Sequence, residues 1–489
     1  MATPIPKNAA PLDAFTAAAA TGGRALRATG KRATGVFSDS RAIGPGAAFV
    51  ALRGERFDGH DHQQAAIDAG AVLVLAERGR AVGSLIDTVE VDDTLVAWGR
   101  VARAHLRAWR RARASVDPAR VVSITGSAGK TTTKEVTAAL LGAIGPTWAT
   151  PGNLNNLIGL PAAALCVEHT HQFAVLEAGM SVPGEIERLA SVAEADVAVI
   201  TNVSVAHAEG VGGTRGDVGR EKGALFAALD QDGVAVAPFD DDAAMAQLAR
   251  TRARRAETFG RGEGARYRLV DRVVRGAAGA RLTVERPCAD SCPAPGARDT
   301  IEVDFPLVGE AAAIDFCAAL AAAEAALGAQ LDAATIARAM KALAPTAGRA
   351  APRALRDGTV VIDDSYNANP ASVRAALATL GELAKGKRAV AVLGEMRELG
   401  AVAKDEHAAI GDAVKAAGVA VLVSCGGMMD LAAERAKALG VEVHSAEDAK
   451  AAATIALGVV RAGDVVLVKG SRGVATEVVA EALASRGEG

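Results

Sequence analysis

One short stretch near residue 120 limits the possible folds of this chain more than any other part of the sequence. An apolar run from Val121 to Ile124 predicts a buried parallel strand, and the pattern from Thr132 to Leu141 predicts a helix. Between them lies a turn that contains two glycines, a lysine and threonines: Thr125-Gly126-Ser127-Ala128-Gly129-Lys130-Thr131-Thr132. The predicted apolar face of the helix consists of Val136, Ala139, Leu140 and Ile144.

This turn has the chemistry of a phosphate-binding loop. Glycines let backbone N–H groups approach an anion, and a helix N-terminus adds its partial positive charge. Lys130 can reach the outer phosphates of a nucleotide, and the Thr131 hydroxyl can bind magnesium. The usual loop has four residues between its glycines, whereas Gly126 and Gly129 are separated by Ser127 and Ala128 alone. A plain turn of small residues is the alternative; the coincidence of strand, Lys-Thr and helix favours nucleotide binding.

Length, charge and cysteine usage exclude several classes of protein. A chain of 489 residues has room for about three domains. Its net charge of −3 argues against a non-specific nucleic-acid binder, and no stretch of about 18 uncharged apolar residues predicts a membrane span. The five cysteines are scattered and odd in number, which fits a reducing compartment, and a signal-peptide pattern is missing. We therefore expect a cytoplasmic protein.

A cluster of arginines lies between residues 100 and 113. They alternate with Val101, Leu106 and Trp109 at helical spacing, which predicts a solvated helix face rather than a nucleic-acid site. The members are Arg100, Arg103, Arg107, Arg110, Arg111 and Arg113.

The order of predicted elements indicates an α/β protein of three domains. Residues 1–117 form a smaller α/β domain with strands at Ala47 to Leu52 and Ala71 to Leu75. Residues 118–345 form a central domain with a P-loop ATPase-type parallel sheet. Residues 346–489 alternate strands and helices as in a Rossmann-like parallel sheet, but no G-x-G-x-x-G fingerprint supports a dinucleotide redox role.

Polar side chains in the central domain follow predicted strands. Glu177 comes directly after the strand Phe173 to Leu176, and His207 lies just beyond the strand Val197 to Val203. Because ligands collect at the carboxyl edge of parallel strands, Thr131, Glu177 and His207 are expected to converge as a divalent-metal site. Three amides within Gly152 to Asn156 can cap turns or line a polar pocket.

Other candidate positions are less informative on their own. Ser38 to Arg41 and Arg53 to Asp61 are polar stretches that suit either an ordinary solvated loop or a site. In the third domain Asp364 follows a strand and can hold a ribose hydroxyl, and Asn369 can cap the helix that Pro370 begins. Lys222 is placed at a predicted helix start.

Taken in order, these stretches resemble the Mur ligase family of ATP-dependent amide-bond-forming enzymes over nearly the whole chain. Within that family the chain is most similar to the members that add D-alanyl-D-alanine to a UDP-muramoyl tripeptide. The resemblance rests on Ser38 to Arg41, Arg53 to Asp61, Thr125 to Thr132, Gly152 to Asn156, Thr201 to Gly210, Asp363 to Pro370, Leu393 to Gly400 and Lys469 to Arg472.

The resemblance implies a role for each domain. The first binds the UDP end of a muramoyl peptide through Ser38, Ser40 and Arg41. The central domain binds ATP through residues 126–132, with two magnesium ions held in part by Thr131, Glu177 and His207. Lys222 matches a lysine that the family carbamylates. Arg349 and Asp364 reach back to the nucleotide, and Lys469, Ser471 and Arg472 lie near the peptide end.

The implied reaction passes through an acyl phosphate and captures it with D-alanyl-D-alanine in peptidoglycan precursor synthesis, in a monomer. Alternatives stay open at this point: the tripeptide-forming relative that adds diaminopimelate or lysine, and a binding protein that uses ATP as a switch. A Gly394-Glu395-Met396 sequence favours the D-alanyl-D-alanine branch, although aspartate is commoner than Glu395 there. The insert around Cys288 to Arg298 has no counterpart that we assign.

Overall fold

The computed structural model describes residues 3–54, 57–82, 86–115, 117–204, 212–288 and 297–486. Within these ranges the strands form three larger sheets and one two-stranded pair, and helices pack on the sheets. These three sheets, with helices packed on them, confirm the predicted α/β fold class. None of the helices in this described part is long and apolar enough to span a membrane.

The first sheet has the strand order β2-β7-β6-β5-β4, with β4 to β7 parallel and β2 antiparallel at one edge. Asp93 accepts hydrogen bonds from the N–H groups of Leu95 and Val96 and so begins the long helix that follows. The elements are β1 (Pro11–Leu12), α1 (Ala14–Thr21), β2 (Arg24–Arg27), β3 (Ala33–Thr34), β4 (Val36–Phe37), β5 (Ala48–Val50), α2 (Gln63–Asp68), β6 (Leu73–Glu77), β7 (Asp87–Val91) and α3 (Thr94–Arg113).

Helix α3 joins the first sheet to the middle one, and its arginines are not simply solvated. Arg107 Nε donates to Glu194 Oε2 at 2.7 Å, and Arg110 Nη2 donates to Asp196 Oδ2 at 2.9 Å. On the opposite face the indoles of Trp98 and Trp109 are buried. The predicted solvated face is confirmed for Arg107, whose side chain is 52% exposed, and Arg107 and Arg110 also pair with acidic residues of the middle region.

The middle sheet has nine described strands in the order β16-β15-β14-β13-β12-β11-β8-β10-β9. From β9 to β14 neighbouring strands are parallel, and β14, β15 and β16 are antiparallel. The elements are β8 (Arg120–Thr125), α4 (Lys130–Gly142), β9 (Thr147–Ala149), α5 (Gly159–Leu165), β10 (Phe173–Glu177), α6 (Glu185–Ala193), β11 (Val197–Ile200), α7 (Arg215–Lys222), α8 (Ala224–Ala227), β12 (Val234–Pro238), α9 (Asp242–Met245), β13 (Arg255–Gly260), β14 (Tyr267–Val274), β15 (Ala280–Pro287), β16 (Arg298–Phe305), α10 (Glu310–Leu327) and α11 (Ala333–Ala342).

Two local predictions in this region were wrong. Helix α4 ends at Gly142, so Ile144 lies outside it and is 48% exposed instead of extending its apolar face. Lys222 ends a helix instead of starting one, because the Thr214 side chain accepts a hydrogen bond from Asp217 N and begins α7 earlier.

The third sheet has the order β17-β18-β22-β19-β20-β21, and only its edge strand β17 is antiparallel. Asn369 and Ser372 form the predicted cap of α12, with Pro370 at the first helical position. The elements are β17 (Ala351–Ala354), β18 (Val360–Asp364), α12 (Pro370–Leu383), β19 (Ala389–Gly394), α13 (Ala403–Ala416), β20 (Val419–Cys425), α14 (Met429–Ala438), β21 (Glu442–Ala446), α15 (Ala449–Val459), β22 (Val465–Lys469) and α16 (Glu477–Arg486).

An ion pair joins the middle and third sheets. Arg272 on β14 donates to Glu382 on α12 at 2.5 Å, and Glu310 at the start of α10 lies 3.9 Å away. The Arg272 side chain is only 5% exposed. The Arg272 guanidinium thus lies between a carboxylate of the middle region, Glu310, and one of the third region, Glu382. This ion pair holds α12 against the middle sheet.

Candidate active site

A cavity of about 410 Å³ lies where the middle and third sheets face each other. One wall is the phosphate-loop turn, including Ser127, Ala128, Gly129, Lys130 and Thr132. The opposite wall comes from the third sheet and includes Arg349, Asp364, Tyr366 and Lys469. The strand order explains the first wall, because β8 lies between β10 and β11 and the three parallel strands end at the same edge.

The shape of the loop depends on its glycines and on one asparagine. Gly129 has φ +80°, and a Cβ atom there would lie 2.4 Å from Asp315 Oδ1. Asn202, just after β11, accepts hydrogen bonds from Ser127 N and Ala128 N, both at 3.0 Å. Backbone and side chain of Asn202 therefore fix the position of the loop beside the cavity.

Lys130 stands at the first position of α4 with its side chain folded over the loop. Its ammonium donates to Gly126 O at 2.8 Å. Burial lowers the pKa of Lys130, Glu177 opposes that shift, and Arg349 adds to it. An anionic phosphate in the cavity would favour the charged ammonium, which is the form that neutralises phosphate.

Glu177 is fully buried at the end of β10 and is held from both sides. Thr131 Oγ1 donates to its Oε2 at 2.9 Å, and Asn155 Nδ2 donates to its Oε1 at 2.8 Å. The structure thus brings two of the three predicted metal ligands together beside the phosphate loop. His207 lies outside the described residues, and within the described ones no group of three or more His, Cys, Asp or Glu side chains suits a metal ion.

The third-sheet wall is also charged and buried. Lys469 Nζ donates to Asp364 Oδ2 at 2.5 Å and to Asn367 O at 2.9 Å. Burial raises the pKa of Asp364, although Lys469 and Arg349 oppose the shift. The Arg349 guanidinium carbon lies 3.7 Å from the centre of the Tyr366 ring, a cation–π contact at the cavity surface.

A second, smaller cavity of about 230 Å³ adjoins the first. It shares the segment 367–369 with it and is otherwise lined by residues 397–399 and 471–473. Arg472 in this lining lies 5.1 Å from the ring of Tyr366. Of the predicted peptide-end residues, Ser471 and Arg472 line this cavity, whereas Lys469 lines the larger one.

Comparison with known proteins agrees with this layout along the chain. The Mur ligase family, catalytic domain model matches residues 32–110, the Mur ligase middle domain matches 124–323, and the Mur ligase, glutamate ligase domain matches 348–472. The UDP-N-acetylmuramoyl-tripeptide–D-alanyl-D-alanine ligase of Escherichia coli (strain K12) is 34% identical over 453 residues, which cover 92% of this chain and 94% of that enzyme. The chain belongs to the Mur ligase family.

Solved structures extend the similarity of this Mur ligase to three dimensions. A crystal structure of MurF from Acinetobacter baumannii superposes with a TM-score of 0.84 at 27% identity and covers 97% of this chain and 99% of that one. The MurF ligase of Thermotoga maritima in complex with ADP gives a TM-score of 0.78 at 28% identity, over 93% and 97% of the two chains.

The remaining predicted residues of this Mur ligase are the buried Lys222 and the group Ser38, Ser40 and Arg41 near the first sheet. Lys222 is 1% exposed, and burial together with the nearby charge of Lys130 lowers its pKa well below the usual range. Ser38, Ser40 and Arg41 lie on the first sheet's side, away from the lining of the large cavity. There Arg41 is bound to Asp39 at 2.7 Å, and its side chain is 88% exposed.

Sequence reasoning missed several residues of the Mur ligase site. Asn202 and Tyr366 lie within the stretches 201–210 and 363–370 that carry the resemblance, but no role was predicted for them, because their contacts join segments far apart in the chain. Asp315 had a signal that we did not use: it is an acid flanked by apolar residues in the middle of helix α10, between Glu310 and Glu324 near the helix ends. It is 7% exposed, lines the cavity, and burial raises its pKa well above the usual range.

Proposed function

We propose that this chain is an ATP-dependent ligase that joins D-alanyl-D-alanine to the free carboxylate of a UDP-N-acetylmuramoyl tripeptide in peptidoglycan precursor synthesis. The names of the similar enzymes supply the substrates. One observation on this chain carries the proposal: the phosphate loop and the charged wall of Arg349, Asp364 and Lys469 face each other across one cavity.

In the proposed reaction the γ-phosphoryl group of ATP passes to the tripeptide carboxylate, and ADP leaves. The amine of D-alanyl-D-alanine then attacks the resulting acyl phosphate; a C–N bond forms, the amine loses a proton, and phosphate departs. Two anions must approach each other in the first step, so the chain's task is to position them and neutralise charge. Lys130 supplies a cation to the outer phosphates, and Arg349 a second one from the opposite wall.

The oxygen donors at Glu177 fit magnesium. A carboxylate and a threonine hydroxyl beside a phosphate loop are the ligand types that this ion takes together with phosphate oxygens. Magnesium, when bound there, would neutralise phosphate charge as it develops. We propose Thr131, Glu177 and His207 as contributors to sites for two such ions.

Lys222 is proposed to react with carbon dioxide and become a carbamate. Its near-complete burial and lowered pKa favour the neutral amine, which is the nucleophile that this modification needs. A carbamate would carry a negative charge, which suits a place near magnesium, whereas an ammonium would repel the ion.

The outer parts of the site complete the proposal. Ser38, Ser40 and Arg41 would bind the uridine end, and Lys469, Ser471 and Arg472 the peptide end. We further propose domain limits at residues 1–117, 118–345 and 346–489, a monomeric enzyme, and action in the cytoplasm, where ATP and UDP-linked precursors meet.

Product analysis by mass tests this function. The purified chain is incubated with ATP, magnesium, UDP-muramoyl tripeptide and D-alanyl-D-alanine, and the expected product carries one added dipeptide with ADP and phosphate in equal amounts. Addition of diaminopimelate or lysine to the dipeptide precursor would overturn the proposal in favour of the tripeptide-forming reaction. Phosphate release independent of any added amine would overturn it in favour of an ATP switch.

A further inference from the structure

Lys134 is a charged side chain that the proposed chemistry does not use, although it lies one helical turn beyond Lys130 on α4. Its exposure is 0%, and it is among the largest fully buried side chains of the protein. It does not belong to the lining of the large cavity. A buried ammonium costs free energy unless oxygen atoms satisfy it, so its contacts require an explanation.

Three oxygen atoms surround this ammonium. Lys134 Nζ donates to Thr150 O at 2.6 Å, lies 3.4 Å from Gly152 O, and pairs with Glu135 Oε1 at 2.9 Å. The two carbonyls belong to the turn that follows β9. Lys134 therefore fastens this turn to the phosphate-loop helix by contacts that an apolar side chain of equal length could not make.

The turn held by Lys134 leads to the groups that fix Glu177. Thr150 Oγ1 accepts a hydrogen bond from Glu177 N at 3.0 Å. Further along the same segment, Asn155 donates to Glu177 Oε1 at 2.8 Å, and its own carbonyl accepts from Gly179 N at 2.8 Å. Hydrogen bonds therefore join Lys134 to the start of the 150–155 segment and join the same segment to Glu177.

We infer that Lys134 is a positioning residue for Glu177: it holds the 150–155 segment, in which Thr150 fixes the Glu177 backbone and Asn155 orients the carboxylate toward its metal. This inference rests on the proposed function in so far as Glu177 binds magnesium. Outer partners of a metal ligand typically change metal affinity by about 10–100-fold, because they set the ligand's orientation.

The test compares Lys134→Met with Lys134→Arg, and uses Lys341→Met, an exposed lysine on α11, as the matched control. The readout is calorimetric binding of ADP with and without magnesium. For Lys134→Met we expect about tenfold weaker binding of ADP in the presence of magnesium and little change in its absence. Lys134→Arg should recover part of the loss, since its guanidinium can donate to the same carbonyls.

A double-mutant cycle with Asn155→Ala shows whether the effect passes through the proposed segment. Coupled residues give non-additive effects, so the double variant should lose little more magnesium-dependent affinity than Asn155→Ala alone. Full additivity, or unchanged magnesium-dependent binding in Lys134→Met, would overturn the inference. If Lys134→Met does not fold, Lys134→Gln, whose side chain is shorter and uncharged, takes its place in the cycle with Asn155→Ala.

This experiment is independent of the ligation assay. ADP and magnesium binding needs neither the muramoyl peptide nor the dipeptide. A parent protein that binds magnesium and ADP but makes no amide would refute the proposed function and leave the inference on Lys134 standing.

Discussion

The phosphate-loop region and the turn at residues 38–42 are both proposed substrate sites, yet they are built in opposite ways. At the loop, Asn202 is hydrogen-bonded to Ala128, and Glu177 is hydrogen-bonded to Thr131 and Asn155, so that distant segments are joined inside the protein. At the turn, Arg41 is bound to its neighbour Asp39 and is exposed. Catalysis needs groups fixed before the reaction, whereas recognition of a nucleotide end can use a side chain that reorients on binding.

The largest effect is expected for Lys130→Ala. Removing the ammonium takes a cation from the outer phosphates, so turnover should fall by about 10³-fold or more. Release of phosphate in the complete reaction measures this loss, and calorimetry should show UDP-substrate binding nearly unchanged. The exposed Lys341→Ala serves as control; equal loss of both properties in Lys130→Ala would mean a folding defect instead.

Gly129→Ala tests how rigid the loop is. The alanine would have φ +80° and a Cβ atom 2.4 Å from Asp315 Oδ1, so we expect a loss of about 2 kcal/mol in the free energy of unfolding and weaker ADP binding. Gly142, the last residue of α4, has open space around its Cα and no positive φ, so Gly142→Ala should be neutral or slightly stabilising. Thermal unfolding of both variants checks the difference; equal effects would show that the loop is not tightly fitted.

Arg41→Ala probes the exposed turn. Its ion pair is on the surface and contributes little to stability, so the unfolding temperature should not change. If the guanidinium binds the uridine end, KM for the UDP substrate should rise about tenfold at unchanged kcat. Arg111→Ala, an exposed arginine on α3, is the control. A change in kcat with constant KM would contradict a pure binding role.

The smallest effect concerns Asp315 and depends on pH. Burial raises the pKa of Asp315 well above its usual range, so as the pH rises the unfolded chain releases this proton before the folded protein does. Stability due to this group is therefore fully present below the unfolded pKa and decreases as pH rises. Asp315→Asn should remove this decrease, so its stability relative to the parent should be greater at pH 8 than at pH 5. Denaturant unfolding at the two pH values measures it; a constant difference would refute the assignment.

Local patterns in the sequence were enough to predict the three sheets and the phosphate loop, because strand, turn and helix preferences are decided by neighbouring residues. Contacts between distant segments were not predictable in the same way. The ion pair between Arg107 and Glu194 joins positions far apart in the chain, and so does the hydrogen bond between Asn202 and Ala128 of the loop. Lys222 was predicted at a helix start but lies at a helix end, because α7 begins after the cap Thr214. A threonine before a short polar segment is a weak signal for a helix start.

The pairing of Arg272 with Glu382 and Glu310 has a consequence for any compound designed against this protein. The walls of the large cavity come from two separate sheets, and the buried Arg272 with its two partly exposed carboxylate partners joins them. An inhibitor that touches both walls would lock the pair of sheets together as well as exclude the nucleotide. An inhibitor that touches a single wall would leave the ion pair as the link between the sheets and would gain no contact with the second wall.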